Sequence, residues 1–342
     1  MNMRQAVVTE PGKIVYREVP RPEPGAEEVL LRIARIGICG SDVHVFEGKH
    51  PLVSFPLVQG HEFSGTVEAV GERVTGLRQG DLVTVEPAVG CGECDKCAAG
   101  LLAQCERMLF VGGARPGAGG DFLAMEASHV VKMPPGVDAD DAAMVEPLAV
   151  AVHAVRRPAA VAGKRLLILG GGTIGNLTAQ VARACGAGPI VLVDKIAERC
   201  RLAEALGFRT IDAGQVASPE EAAYAALDGK RPEVAFECVG KAAPLNTCIR
   251  TVVRGGDVIV VGVYEEAPRA EMILVQDKEL NLLGSLMYTW HDYRQAVDLI
   301  ARGEVSLKPL QTHHFPFEAW AEAYHLLMTR PDEAVKVLID VG

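Results

Sequence analysis

The first part of the chain, up to about residue 145, consists of short apolar runs separated by glycine, proline and aspartate. Val29–Ile33, Thr66–Val70 and Leu82–Val85 are such runs, and each has the length and composition of a β-strand. Many short strands with this punctuation are typical of a barrel or a sandwich. The pattern therefore predicts a β-rich N-terminal domain.

The hydrophobic period changes after residue 138. Residues 138–157 show helical periodicity, which Pro147 is expected to interrupt. From Arg165 onward, apolar strands alternate with helices, which predicts a parallel, doubly wound α/β sheet. After Tyr288 the pattern predicts a helix, a loop, a second helix and a last strand, Val335–Ile339. The strands of the alternating region are expected in RLLILGGG, PIVLVD, EVAFECVG, DVIVVGVY and LNLLGS.

Length and composition are those of an ordinary globular protein. The chain has 342 residues, and at roughly 150 residues per domain two domains are expected. Apolar residues make up 49%, and the formal net charge of −10 disfavours nucleic acid as a partner. No apolar run reaches the roughly 18 residues of a membrane helix, and the N-terminal residues do not resemble a secretory signal. We therefore expect a cytoplasmic protein without a membrane partner.

The chain has nine cysteines, and in a cytoplasmic protein these are expected to be free thiols or metal ligands rather than disulfides. Cys91, Cys94, Cys97 and Cys105 follow the spacing C-x2-C-x2-C-x7-C. Four thiolates fill a tetrahedral zinc site and leave no open position, which predicts a structural zinc. The alternatives are incidental buried thiols or an iron–sulfur cluster, although nothing else in the chain indicates electron transfer.

Cys39, His61 and Glu62 form a second candidate metal group. Cysteine, histidine and carboxylate ligands that leave one position open are what a catalytic zinc requires. The spacing alone leaves a second interpretation open, in which these residues belong to the ordinary core. Glu146 is an acidic residue among apolar neighbours in VEPLAV, and it is either functional or a surface glutamate at a helix end.

Gly170, Gly172 and Gly175 form the pattern G-x-G-x-x-G between the predicted strand RLLIL and a predicted helix. Such glycines allow a tight turn and a close approach of a pyrophosphate to the helix N-terminus. Asp194 ends the next predicted strand, where a carboxylate accepts both ribose hydroxyls of an adenosine. A second role for Asp194, as the N-cap of the following helix, is compatible with the first.

These positions predict NAD as the cofactor. The carboxylate of Asp194 repels the additional phosphate of NADP, whereas Lys195 and Arg199 are nearby cations that attract it. We expect Asp194 to decide the preference, and Lys195 and Arg199 to line the adenosine edge or to face solvent. Further cofactor-binding positions are expected at the helix start and after two later strands, at Ile174, Val239 and Val261.

With these groups in place, the chain resembles the zinc-dependent medium-chain dehydrogenases, and within them the sorbitol, threonine and butanediol dehydrogenase branch. GHEFSGTVEAVGERV matches the family signature GHE-xx-G-xxxxx-G-xx-V, and the match continues to Gly80, Asp81 and Val83. The resemblance covers nearly the whole chain. It implies a GroES-like β-rich catalytic domain at 1–148 and 289–342, and a Rossmann NAD-binding domain at 149–288.

The resemblance also implies roles for single residues. Cys39, His61 and Glu62 correspond to the catalytic zinc site, and the four clustered cysteines correspond to the structural zinc lobe. Glu146, in EPL, stands where polyol dehydrogenases have a glutamate and liver-type alcohol dehydrogenases have a cysteine. The family pattern implies that Glu146 binds zinc through a water or exchanges with that water during turnover.

Ser41 and His44 stand where the family has its hydroxyl and histidine proton relay. The resemblance therefore implies a zinc-dependent hydride transfer from a secondary alcohol, in a polyol, diol or sugar-derived compound, to NAD. Many polyol dehydrogenases have an arginine before a tyrosine where this chain has Met287 and Tyr288. The missing arginine argues against sorbitol itself as the substrate. Other secondary alcohols, diols and sugar-acid derivatives remain open, as do L-threonine 3-dehydrogenase and (R,R)-butanediol dehydrogenase activities.

Two further alternatives belong to other classes. The first is a zinc-free quinone or enoyl reductase of the same fold, but those relatives lack the metal ligands that this chain has. The second is a non-enzymatic sensor that retains the fold. The branch that this chain resembles forms tetramers most often and dimers next, so a homo-oligomer is expected.

Overall fold

The computed structural model describes residues 1–49 and 54–342. The strands are β1 (Asn2–Glu10), β2 (Lys13–Pro20), β3 (Glu28–Gly37), β4 (Glu62–Val70), β5 (Leu82–Val85), β6 (Ala88–Val89), β7 (Leu109–Phe110), β8 (Phe122–Glu126), β9 (Val130–Lys132), β10 (Leu166–Leu169), β11 (Ile190–Asp194), β12 (Arg209–Asp212), β13 (Val234–Glu237), β14 (Asp257–Val260), β15 (Asn281–Gly284), β16 (Gln311–Pro316) and β17 (Lys336–Asp340). The helices are α1 (Gly40–Phe46), α2 (Asp95–Ala98), α3 (Ala139–Ala143), α4 (Val145–Arg156), α5 (Thr173–Ala184), α6 (Ala197–Ala205), α7 (Pro219–Ala226), α8 (Ala242–Thr251), α9 (Met272–Asp277), α10 (Trp290–Ala301) and α11 (Trp320–Thr329).

Two compact units make up the chain. The first contains Met1–Glu146, Thr289–Arg302 and Gln311–Gly342, and the second contains Pro147–Tyr288 and Gly303–Leu310. The first unit is β-rich, as its short apolar runs predict. The second unit alternates strands and helices, so the prediction of a doubly wound sheet is confirmed.

The first unit is built on a mixed sheet with the order β16-β17-β3-β4-β5-β9, and β8 also pairs with β3. β3 and β4 run antiparallel, and their register places Gly37 opposite Glu62. β17, near the end of the chain, pairs with the same end of β3, with Leu338 opposite Gly37. Residues that are far apart in sequence therefore meet at one end of β3. The core of this unit includes Leu31, Ile33, Phe63, Val67, Tyr324 and Ile339.

The second unit contains a six-stranded sheet, all parallel, with the order β12-β11-β10-β13-β14-β15. The order in which the strands follow one another in the sheet reverses between β10 and β13. A nucleotide binds at such a switch point, beyond the carboxyl ends of the strands. The side chains of β10 are all buried, as in a sheet covered on both faces.

Three local details differ from the sequence predictions. The helical stretch after residue 138 breaks at Met144, and Pro147 instead lies in the first turn of α4, where a missing N–H is tolerated. The strand β12 was not predicted, because RTID is short and polar. The predicted loop after α10 contains β16, whose side chains alternate between half-buried and exposed.

None of the helices among the described residues is both long enough and apolar enough to cross a membrane.

Candidate active site and metal centres

The four clustered cysteines converge on one point. The sulfur atoms of Cys91, Cys94, Cys97 and Cys105 all lie within 4.8 Å of one another, and those of Cys91 and Cys97 are 3.9 Å apart. Tetrahedral zinc with Zn–S bonds of about 2.3 Å places its sulfurs about 3.8 Å apart, so the donor set fits a closed zinc site. The turns between the cysteines bring them together: Cys94 caps the short helix α2, and its sulfur accepts the N–H of Cys97.

The surroundings of this lobe favour the thiolate at Cys91, whereas burial and the neighbouring cysteines raise the pKa of Cys97 to about 11. Backbone N–H groups, first that of Glu93 and then that of Cys94, lower the pKa of Cys91 to about 6. The Arg107 guanidinium also donates to the Cys91 sulfur at 3.4 Å. Thiolate is the form that binds a metal.

The second group lies at the end of β3. Cys39 directly precedes α1, while His61 and Glu62 begin β4. Ligand atoms of the three residues lie within 4.8 Å of one another, and His61 and Glu62 are buried. Three protein ligands in a buried position leave room for one further ligand on a four-coordinate zinc, so this donor set fits an open zinc site.

Asp42 positions the histidine of this site, a role that the sequence analysis missed. One carboxylate oxygen of Asp42 lies 3.4 Å from Nδ1 of His61, and the other accepts the N–H of Cys39 at 3.0 Å. Gln59 donates to Asp42 at 3.3 Å, and the Tyr324 hydroxyl donates to Gln59 at 2.9 Å. Burial lowers the pKa of His61, but Asp42 and then Cys39 outweigh burial and raise it. Metal-binding histidines are held by such carboxylates.

A buried lysine from the last strand contacts Glu62. Nζ of Lys336 donates to the Glu62 carboxylate and, at 3.1 Å, to the carbonyl of Ile38. Burial lowers the pKa of Lys336, but Glu62 and then Cys39 outweigh burial and raise it. Gly37 leaves the space for this carboxylate, since a Cβ on Gly37 would lie 2.2 Å from Oε2 of Glu62. No local pattern in the sequence marks Lys336, which reaches the site only through the pairing of β17 with β3.

Glu146 is 5% exposed, so it is not a surface glutamate. It does not belong to the group of three ligand residues within 4.8 Å. A second buried acid, Glu86, has one carboxylate oxygen 3.3 Å from Nδ1 of His129 and one without a hydrogen-bond partner. Burial, and then the charges of Glu146 and Glu86, raise the pKa of Tyr293, whose hydroxyl donates to the carbonyl of Val85. Such an accumulation of buried acids suits a divalent cation.

Ser41 and His44 lie on the first and second turns of α1, which begins directly after Cys39. Their spacing of three residues places them on one face of the helix. Their role as a relay stays a prediction.

The glycine-rich turn of the second unit has the expected form. Gly170 has a φ of +106°, and a Cβ on Gly175 would lie 1.7 Å from the carbonyl oxygen of Gly170. Only glycine fits this approach of the helix to the strand. Asn176 adds support that the sequence did not indicate, because its Nδ2 donates to the carbonyls of Gly171 at 2.6 Å and Gly172 at 3.2 Å.

Asp194 ends β11 beside this turn. Its carboxylate accepts the N–H of Gly171 at 2.6 Å and that of Ile196 at 2.9 Å. The N-cap of α6 is Ile196, so the interpretation of Asp194 as the N-cap of this helix is wrong. Nη1 of Arg199 lies 3.8 Å from Asp194, so the predicted cation is in place beside the carboxylate.

The remaining predicted cofactor positions lie at the same end of the sheet. Ile174 is in the first turn of α5, and Val239 and Val261 follow the carboxyl ends of β13 and β14. The cofactor roles of all these residues stay predictions.

Comparisons with known proteins identify the family. The chain matches the alcohol dehydrogenase GroES-like domain at residues 25–135 and the zinc-binding dehydrogenase family at residues 173–302. It is 37% identical to sorbitol dehydrogenase of Macaca fascicularis over 328 residues, covering 93% of this chain and 90% of that protein. It is 36% identical to 2-dehydro-3-deoxy-L-galactonate 5-dehydrogenase of Pseudoalteromonas atlantica, covering 93% of this chain and 92% of that protein.

A solved structure supports the same assignment. A zinc-binding dehydrogenase of Sinorhizobium meliloti, bound to NADP, superposes with a TM-score of 0.90 at 30% identity and covers 100% of both chains. The predicted combination of a GroES-like domain and a Rossmann domain is therefore confirmed, as are the enzyme class and the dependence on zinc and a nicotinamide dinucleotide. The chain belongs to the zinc-dependent medium-chain alcohol and polyol dehydrogenase family.

Proposed function

We propose that this enzyme oxidises a secondary alcohol of a polyol or sugar acid and transfers the hydride to NAD. The group of Cys39, His61 and Glu62, whose ligand atoms lie within 4.8 Å of one another, is the observation that carries this proposal. The relatives named for sorbitol and for 2-dehydro-3-deoxy-L-galactonate support a polyhydroxylated substrate. L-Threonine and (R,R)-butanediol are the alternative substrates.

In the proposed mechanism, Cys39, His61 and Glu62 hold the catalytic zinc. Zinc bound there supplies Lewis acidity, which lowers the pKa of the substrate hydroxyl. Asp42 fixes the ring of His61, and Lys336 fixes the carboxylate of Glu62, so these two residues would keep the ligands in position for the metal. Glu146 would contact that zinc through a water or exchange with this water.

Ser41 and His44 carry the hydroxyl proton away from the site. Both lie on one face of α1, the helix that begins at the ligand Cys39, and this placement supports the assignment. An imidazole is suited to the task because its ordinary pKa is close to 6.5. The hydroxyl oxygen loses the proton and the carbon that bears it loses the hydride, so this carbon becomes the ketone carbon of the product.

The cofactor is held by Gly170, Gly172 and Gly175, with contacts from Ile174, Val239 and Val261. Asp194 binds the adenosine ribose and makes NAD preferred over NADP, against the attraction of Arg199 for a phosphate. Asp194→Gly is expected to reverse the preference. The ratio of kcat/KM for the two cofactors is measured in both proteins, and a parent enzyme that favours NADP would refute the preference.

The lobe of Cys91, Cys94, Cys97 and Cys105 holds a structural zinc. The catalytic domain comprises residues 1–148 and 289–342 and the NAD-binding domain residues 149–288. The two compact units support these bounds except that residues 147–148 and Gly303–Leu310 lie in the second unit. All nine cysteines are free, which supports a cytoplasmic location. The assembly is proposed to be a homotetramer, with a dimer as the alternative.

The deciding experiment combines elemental analysis with NAD reduction on a substrate panel. The panel contains polyols, sugar acids, L-threonine and (R,R)-butanediol, with ethanol as a control. We expect two zinc ions per chain and the highest kcat/KM on a polyol or sugar acid. Highest activity on L-threonine or butanediol would move the substrate to that alternative, and zinc-loaded protein without activity on any class would favour a sensor.

A further inference from the structure

Glu237 is a buried acid that the reaction described above does not use. It ends β13 in the second unit and is 0% exposed. Its Oε1 accepts the N–H groups of Val239 at 2.8 Å and Gly240 at 2.9 Å. Its Oε2 accepts the hydroxyl of Tyr264 at 2.8 Å. One side chain therefore holds two separate turns beyond the carboxyl ends of the strands.

The two turns are in close contact with each other. A Cβ on Gly262 would lie 2.1 Å from the N atom of Gly240, so the two turns pack directly against each other. The backbone carbonyl of Glu237 also accepts the N–H groups of Val261 and Gly262, both at 2.9 Å. The carboxylate thus lies inside a rigid cluster made of the segments that carry the predicted cofactor residues Val239 and Val261.

The charge of Glu237 is not neutralised by a cation. Its side-chain partners are two backbone N–H groups and one hydroxyl, and no lysine or arginine pairs with it in the described part of the chain. None of these partners carries a positive charge that would balance a carboxylate. The negative charge of Glu237 also affects nearby side chains. Burial, and then Glu237, raise the pKa values of Cys238, Cys248 and Tyr264.

The position of this charge matters because the two halves of a doubly wound sheet bind the two halves of a dinucleotide. Asp194, on β11, belongs to the half that binds the adenosine. β13 and β14 belong to the other half, across the switch point between β10 and β13. The nicotinamide half of the cofactor is therefore expected on the side of Glu237.

The oxidised nicotinamide ring carries a positive charge and the reduced ring carries none. We infer that Glu237 makes the cofactor site discriminate between the two redox states, because its buried carboxylate favours the cationic ring of NAD+ over the neutral ring of NADH. The inference rests on the proposed use of NAD by this site. Functionally, such a charge holds the oxidised cofactor before the reaction and favours release of the reduced one afterwards.

The test measures dissociation constants of NAD+ and NADH without turnover, by NADH fluorescence and by competition. Glu237→Gln keeps the size of the side chain and removes its charge, but it also replaces the oxygen that accepts the Tyr264 hydroxyl or the two N–H groups by an NH2 donor. We expect this variant to weaken the binding of NAD+ by about three- to tenfold relative to the binding of NADH. Tyr264→Phe is the matched control, since it removes one hydrogen bond and keeps the carboxylate, and the ratio of the two constants should stay unchanged.

A purely structural role for Glu237 gives a different result. In that case Glu237→Gln changes both constants by the same factor, or Tyr264→Phe shifts their ratio as much as Glu237→Gln, and either outcome overturns the inference. If the unaltered enzyme binds neither NAD+ nor NADH, the proposed use of NAD fails instead.

A second variant covers the case in which Glu237→Gln does not fold. Val263, on the turn between Gly262 and Tyr264, is 68% exposed. Val263→Lys adds a positive charge to the same cluster from outside, and Val263→Gln is its neutral control. The lysine variant is expected to weaken the binding of NAD+ relative to that of NADH. If the ratio of the two dissociation constants equals that of the glutamine variant, the inference is overturned.

Discussion

The two metal centres of the first unit are built in opposite ways. The four-cysteine lobe takes all its ligands from Cys91–Cys105, and three of the four cysteines are partly exposed. The other centre takes its ligands from Cys39 and from His61 and Glu62, which are buried, and depends on Lys336 from the far end of the chain. A local, closed site can be stable on its own turn structure, whereas an open site needs distant residues to hold its ligands in place. This difference predicts how the two centres respond to perturbation.

Removal of metal should give the largest difference between the two centres. A chelator is expected to take the metal at Cys39 first, because its fourth position is open, and to reduce activity to below about 1% while the fold remains. Loss of the metal from the four-cysteine lobe should follow more slowly and lower the melting temperature. Elemental analysis, activity and circular dichroism are followed during dialysis. A single metal per chain, or activity that survives complete metal removal, would refute this order.

Lys336→Met should produce the next largest effect, and it should depend on the metal. Without metal, the variant leaves Glu62 as a buried charge without a cation, which costs about 3–5 kcal/mol. With metal bound, the cation replaces the lost ammonium group, so the melting temperature should fall less. The measurement is thermal unfolding of the metal-free and metal-loaded proteins.

Lys132→Met is the matched control for this prediction. Lys132 pairs with Asp81 at 2.6 Å and its side chain is 45% exposed, so its loss should cost at most about 1 kcal/mol in either state. If Lys336→Met destabilises the metal-free protein no more than this control, Glu62 does not need the lysine.

Glu146→Gln should affect the open centre alone. If Glu146 exchanges with the metal-bound water, the amide should lower turnover roughly ten- to hundredfold while metal content stays close to that of the parent. The four-cysteine lobe should keep its metal and the melting temperature should change little. Turnover is compared with zinc content in the same preparation, and unchanged turnover would assign Glu146 a structural role.

The smallest effect is expected from loss of the ring contact that joins the segment after the lobe to the open centre. The Phe110 ring, on β7 directly after the lobe, lies 5.1 Å from the His61 ring. Phe110→Ala removes a ring contact of about 0.5–1.5 kcal/mol and should weaken metal binding at His61 by about two- to tenfold. Leu109→Ala, a neighbour that is 47% exposed, is the control. Equal zinc affinity in both variants would show that the lobe does not support the open site.

The sequence predicted local features well and long-range partners poorly. The glycine turn Gly170–Gly175 and the acid Asp194 lie within one strand–helix–strand segment, so their spacing was sufficient to place them beside each other. The strand β12 was missed because a short polar edge strand is recognised only by its pairing with β11. Asp42 carried a weak signal, an acid in the first turn of the helix that follows Cys39.

The sequence by itself determined the fold class, the four-cysteine lobe and the nucleotide turn, because each depends on residues close along the chain. Only the tertiary structure decided which charges are paired. Lys336 meets Glu62 because β17 pairs with β3. In the part of the chain that the structure describes, the Glu237 side chain meets N–H and hydroxyl groups and no cation. Burial makes an unpaired charge costly and its field strong, and burial is a property of the packed chain rather than of any local pattern.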